Sequence, residues 1–144
     1  MALGMGVMIR ALSGADYESA KAVQAAIGKR VVSVDLVSGN PDELRIVLDD
    51  GSTLVLWDDG QSCCESRYML TDDDVTSFVG STLRGVEVRE APNAEDDGYD
   101  THEVAFLAVQ TDGGDLVCST HNEHNGYYGG FSIAAKLSTP EPRP

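Results

Sequence analysis

His121 and His124 stand three residues apart with Glu123 between them, in the run His121-Asn122-Glu123-His124-Asn125-Gly126-Tyr127-Tyr128-Gly129-Gly130-Phe131. In a helical turn or a tight loop this spacing lets both imidazoles reach one cation, and Cys63 or Cys64 would extend the set to one that suits zinc. Zinc held by three side chains, with water in the fourth position, would let Glu123 act as general base, the chemistry of a hydrolase. Against that alternative, there is no Cys-x-x-Cys pair, and adjacent cysteines rarely aim both sulfurs at one metal. A second catalytic alternative makes Cys63 or Cys64 a thiolate nucleophile with His121 or His124 as its base. Cysteine is commonly a small buried residue, so packing after a strand explains at least one of the pair more simply.

Most of the His121–Phe131 motif also has a scaffold reading. Asn125-Gly126 suits a turn with positive φ, Gly129-Gly130 lets the backbone bend closely, and Tyr127, Tyr128 and Phe131 can pack over a sheet. That reading leaves two histidines, two asparagines and a glutamate crowded into five residues, more polar groups than a turn uses. The surplus points to a binding site. In it Tyr127 and Tyr128 would stack on a ring, and Asn122, Asn125, His121 and His124 would supply directional hydrogen bonds, with Glu123 beside them. Arg67, in the Cys63-Cys64-Glu65-Ser66-Arg67-Tyr68 stretch, pairs with Glu65 or an aspartate, or offers its planar fork to an anionic ligand. Glu65 and Arg67 complete the candidate ligand-binding set.

The elements that must position these residues read as α+β, mainly antiparallel. Residues 13–28 carry a helical stripe of Tyr17, Ala20, Val23 and Ile27, capped by Ser13 or Asp16 and stopped at Gly28. Residues 30–37 are rich in β-branched side chains, and 44–48 and 53–57 flank Asp49-Asp50-Gly51-Ser52, a hairpin signal. After an extended piece at 67–70, Thr71 is expected to cap a short helix that ends at Gly80. A strand at 82–89, an acidic loop at 91–101, a second hairpin around Thr111-Asp112-Gly113-Gly114 and a last strand at 130–137 follow. Ala26-Ile27-Gly28 matches Phe78-Val79-Gly80, and Leu48-Asp49-Asp50-Gly51 matches Gln110-Thr111-Asp112-Gly113. Two helix–strand–hairpin units are therefore expected, about 13–70 and 71–138, forming a curved sheet or small barrel covered by the N-terminal helix. They make one domain, 13–138, after an extension at 1–12 and before a Pro-rich tail at 139–144. Each unusual loop follows its unit's hairpin, so a pseudo-twofold would bring both to one pocket, within a chain or across a homodimer.

Composition narrows the function classes. The 144 residues include 24 acids against 10 Lys and Arg, a formal charge of −14, which disfavours direct binding to nucleic acid or an anionic membrane. The acids fall largely in turns, which solubility explains; the alternative is an acidic protein that blocks a host nucleic-acid-binding protein. Three cysteines, two of them adjacent, do not form the framework of a secreted domain. No run of eighteen apolar residues exists and residues 1–9 lack a preceding basic region, so a cytoplasmic protein with no membrane partner is expected.

At the two loops the chain resembles a family of small proteins of unknown function encoded by bacteriophages and by bacteria carrying prophages. The matching pieces are the Asp-Asp-Gly hairpin, Cys63-Cys64-Glu65 with Arg67-Tyr68, and the His121–Phe131 run, over roughly 30–137. The resemblance implies a phage-type accessory protein in the host cytoplasm and carries over no catalytic residue. The expected function is binding of a small polar, nucleotide-like ligand between the loops, with no cofactor and no catalysis, the nucleotide part resting on the resemblance.

Overall fold

The computed structural model describes residues 17–39, 41–59, 66–90, 95–96, 101–124 and 131–139. Among the described residues, helix α1 (Tyr17–Ala26) precedes β1 (Val31–Val37), β2 (Glu43–Leu48), β3 (Thr53–Asp58) and β4 (Ser66–Leu70). A 3-10 helix (Val75–Phe78) leads to β5 (Leu83–Glu90), β6 (Glu95–Asp96), β7 (Thr101–Thr111), β8 (Gly114–His124) and β9 (Ile133–Ser138). All strand pairings among the described residues are antiparallel. The α+β expectation holds, but the strands form two sheets and no closed barrel.

The sheets exchange their outer strands. One has the order β1-β2-β3-β9 and the other β4-β8-β7-β5, with β6 added to β7. The strand that follows β3 thus pairs with β8, and the strand that follows β8 pairs with β3. Period-2 alternation explains which faces meet: Leu44, Ile46, Leu48, Leu54 and Leu56 of the first sheet and Val86, Leu107, Val109, Leu116 and Cys118 of the second are buried in one core. Full burial of each leucine stabilises the fold by about 1.5–3 kcal/mol.

A short crossing joins the sheets where β1 and β5 begin. Gly28 N–H donates to Leu83 O and Gly80 N–H donates to Val31 O, both at 2.8 Å. Val31 N–H likewise donates to Ser81 O, and Leu83 N–H to Lys29 O, again at 2.8 Å. Gly28 at φ +93° and Gly80 at φ +91° turn the chain into this crossing, a conformation that side chains disfavour. The hairpins correspond one residue away from the sequence match. Asp49 donates to Arg30 O as Asp112 donates to Thr82 O, and Gly51 and Gly114 carry the positive φ, so Gly51 corresponds to Gly114 rather than Gly113.

Three local expectations are corrected. The buried stripe of α1 is Ser19, Ala20, Val23 and Ala26, while Tyr17 is 73% exposed. Packing against β9 sets that rotation, with the Ser19 hydroxyl accepting from Ala135 N–H at 3.0 Å on the sheet edge. Thr71 does not cap the next helix: Asp74 does, its Oδ1 accepting from Thr76 N–H at 3.1 Å, while the Thr71 hydroxyl donates to Val117 O at 2.8 Å. The motif expected as a loop from His121 begins instead in a strand, because β8 runs on to His124.

Candidate functional site

The extension of β8 decides where its polar residues point. Successive side chains of a strand face opposite ways, so Asn122 and His124 turn into the molecule and His121 and Glu123 turn out. Asn122 is fully buried and His124 nearly so. His121 and His124, three apart on a strand, therefore lie on opposite faces and do not converge on one ion. Among the described residues no group of three His, Cys, Asp or Glu side chains is placed to hold a metal.

The inner group occupies one end of the space between the sheets. Arg67 faces Asn122 across the β4–β8 ladder, and Asn122 faces Glu103 across the β7–β8 ladder. The Arg67 Nη1 donates to Asp58 Oδ2 at 2.7 Å, with side-chain exposures of only 7% and 4%. Arg67 was expected to pair with Glu65 or an aspartate, and Asp58 is a partner the structure provides. The other Asp58 oxygen accepts from Ser132 N–H at 3.0 Å, and Asp59 N–H donates to Ser132 O at 2.8 Å. His124 Nε2 lies 2.7 Å from Glu103 Oε1. Beside the Asp58–Arg67 pair, a small cavity of 10 Å³ is lined by Asp42, Asp58, Arg67, Tyr68 and Thr120, room for a single water. The Thr120 hydroxyl is wholly buried and has no hydrogen-bond partner among the described residues.

The outer group lies on the other face of the β4-β8-β7 sheet. Tyr68 stacks on His121, with ring centroids 4.7 Å apart and planes 6° from parallel. Its phenol donates to Glu123 Oε2 at 2.5 Å, and that bond to a carboxylate pushes the phenol up to about 12. His102 Nε2 and His121 Nδ1 are 2.9 Å apart, and His121 Nε2 reaches the Ser119 hydroxyl at 2.8 Å. Burial lowers the His121 imidazole below its ordinary value, the neighbouring His102 lowers it further, and Glu123 opposes both. Sequence reasoning missed His102 and Tyr68 as its neighbours, because they come from two other strands and only the ladder register unites them.

The candidate ligand set is thus divided. Arg67, Asn122 and His124 are inside, His121 and Glu123 outside; Glu65, Asn125, Tyr127 and Tyr128 lie outside the described residues, as do Cys63 and Cys64. The described ends of both unusual loops nevertheless meet: Asp58 and Arg67 bracket the first, Asn122, His124 and Ser132 the second, and the contacts above run between them. The chain passes from one sheet to the other between β3 and β4 and back between β8 and β9, so Asp58, Arg67, Asn122 and Ser132, which flank these two crossings, lie at the same end of the core.

No curated protein and no solved structure matches the chain. A family model described as a domain of unknown function, DUF7448, matches residues 24–134, from within α1 to within β9, and the chain belongs to that family.

Proposed function

We propose that the protein binds a small polar ligand, without catalysis, at the end of the core where the two loops leave the sheets. One observation carries this reading: Asp58, Arg67, Thr120, Asn122 and His124 form a buried polar group where the strands feeding both loops end, with the Thr120 hydroxyl, beside a one-water cavity, unpartnered among the described residues. Buried polar groups cost free energy unless hydrogen-bonded, and the Thr120 hydroxyl has no partner among the described residues. Asp58 matches the Arg67 charge, and Glu103 faces His124, so the inner group has no surplus positive charge to offer a phosphate. The ligand favoured is an uncharged, hydrogen-bonding ring of the nucleobase or nucleoside kind; Glu65, Asn125, Tyr127 and Tyr128, the members of the candidate set outside the described residues, are its proposed further contacts, the tyrosines by stacking. The accessory, phage-type role follows from the family resemblance at the loops.

The test is a thermal-shift screen of nucleobases, nucleosides and nucleotides. A nucleoside at a hundred times its dissociation constant should stabilise the fold by about 2.7 kcal/mol. Tyr128→Ala should remove that shift, while Glu123→Gln, on the outer face, should keep it. Stabilisation by inorganic phosphate alone, or loss of the shift with Glu123→Gln and not Tyr128→Ala, overturns the assignment.

A further inference from the structure

The outer face of the β4-β8-β7 sheet carries a groove of 390 Å³ that the ligand site does not use. Leu70, Phe106 and Val117 contribute its apolar floor, and Asp72, Asp73 and Asp115 its rim, with Ser119 and His121 at one end. Leu70 is 54% exposed and Phe106 37%, although both are large apolar side chains that a sheet normally buries. The helix packs elsewhere, on β9, β5 and β3, so no described element covers this face.

The rim charges say what fits. Asp73 Oδ2 accepts from Val117 N–H at 2.8 Å and Asp115 Oδ2 meets Arg89 at 3.1 Å, but Asp72 is exposed and makes no hydrogen bond or ion pair among the described residues. Three carboxylates against one guanidinium leave the groove negative on a chain of formal charge −14. A second copy of the same chain would bring acids against acids, which costs rather than contributes affinity. We infer that this groove is a docking surface for a segment of another protein that carries lysine or arginine beside apolar side chains. The apolar residues lie on Leu70 and Phe106, and the cations meet Asp72 and the outer oxygens of Asp73 and Asp115. Electrostatic attraction accelerates the encounter, and the apolar floor gives the register that charge alone does not.

The experiment is a fluorescence-anisotropy titration of the full chain with two labelled probes of equal charge, a peptide mixing lysine with leucine and an oligolysine. The mixed peptide should bind more tightly, and more weakly as salt rises. Leu70→Ser and Asp72→Asn should each cost about tenfold in its affinity, whereas Asp35→Asn, which removes the same charge from the exposed face of the other sheet, should leave it unchanged. Leu70 and Asp72 are exposed, so both variants keep the wild-type unfolding midpoint. Equal effects of Asp72→Asn and Asp35→Asn, or equal affinity for both probes, would reduce the interaction to bulk charge and overturn the inference. So would the absence of binding, or a dimer in sedimentation that Leu70→Ser dissolves. The ligand site is unaffected by any of these outcomes, since none of these side chains lies between the sheets.

Discussion

Asp58, the last residue of β3, and Arg67, the second residue of β4, meet at 2.7 Å between two different sheets, and both side chains are almost wholly buried. The chain leaves one sheet at Asp58 and enters the other just before Arg67, so the ion pair fastens the point where the strands are exchanged. Asp58 also holds the Ser132 N–H at the approach to β9, so one carboxylate serves both crossings. Removing two charges from water is costly, and the geometry here offsets that cost with a short bond and further hydrogen bonds to the same carboxylate.

Breaking the pair leaves one buried charge without its match. Asp58→Ala and Arg67→Ala should each destabilise the fold by about 3–5 kcal/mol in urea unfolding. The double change Asp58→Leu with Arg67→Met should recover much of that loss, because an apolar pair carries no desolvation penalty. Single-variant losses below about 1 kcal/mol, the range of exposed pairs, would show that water reaches these charges.

Much of the frame was legible in residues whose signal is local. The Asp50-Gly51 step and the Asp112-Gly113-Gly114 run mark hairpins because Gly51 and Gly114 tolerate left-handed backbone, and β-branched alternation marks the strands around them. The exchange of β4 and β9 was not legible, since a strand's own pattern shows which face is buried and not which strand lies beside it. Polarity also misled the reading of 121–124. Both faces of β8 become polar there, one toward the core end and one toward solvent, so a strand resembles a loop. His102 was invisible as a neighbour of His121, because the two stand nineteen positions apart and only the β7–β8 register brings them together.

Gly28 and Gly80 should respond alike to substitution. Each has φ close to +90°, and an added Cβ at either would meet nothing within 4 Å, so the backbone conformation alone sets the cost. Alanine at either position should destabilise by about 1–2 kcal/mol, measured by thermal or urea unfolding. A loss at one glycine with none at the other would show that the two crossings are not equivalent in strength.

Cys118 should be chemically silent in the folded protein. It is wholly buried, and burial pushes its thiol up to about 11, with the Thr71 hydroxyl opposing and the Asp73 charge adding to the rise. In protein carrying Cys63→Ser and Cys64→Ser, a thiol reagent should modify Cys118 only as fast as the fold opens, and rapidly in urea. Immediate modification under native conditions would contradict its placement in the core.

Stability should fall as the solution is acidified through the histidine range, with His121 contributing. The 2.9 Å contact between His102 Nε2 and His121 Nδ1 needs one nitrogen to donate and the other to accept, so it is lost when both rings are fully protonated. Burial and the His102 charge hold the folded His121 below its ordinary 6.5, so around and just below that value the unfolded chain binds more protons than the folded one. The contribution is therefore complete above about pH 6.5, and it declines as pH drops toward the folded value. Thermal midpoints at about pH 7.5 and about pH 5.5 give the measurement, and the drop should be smaller in His121→Gln than in the wild type. An equal drop in both proteins would assign the acid sensitivity to the carboxylates and remove the histidine pair from it.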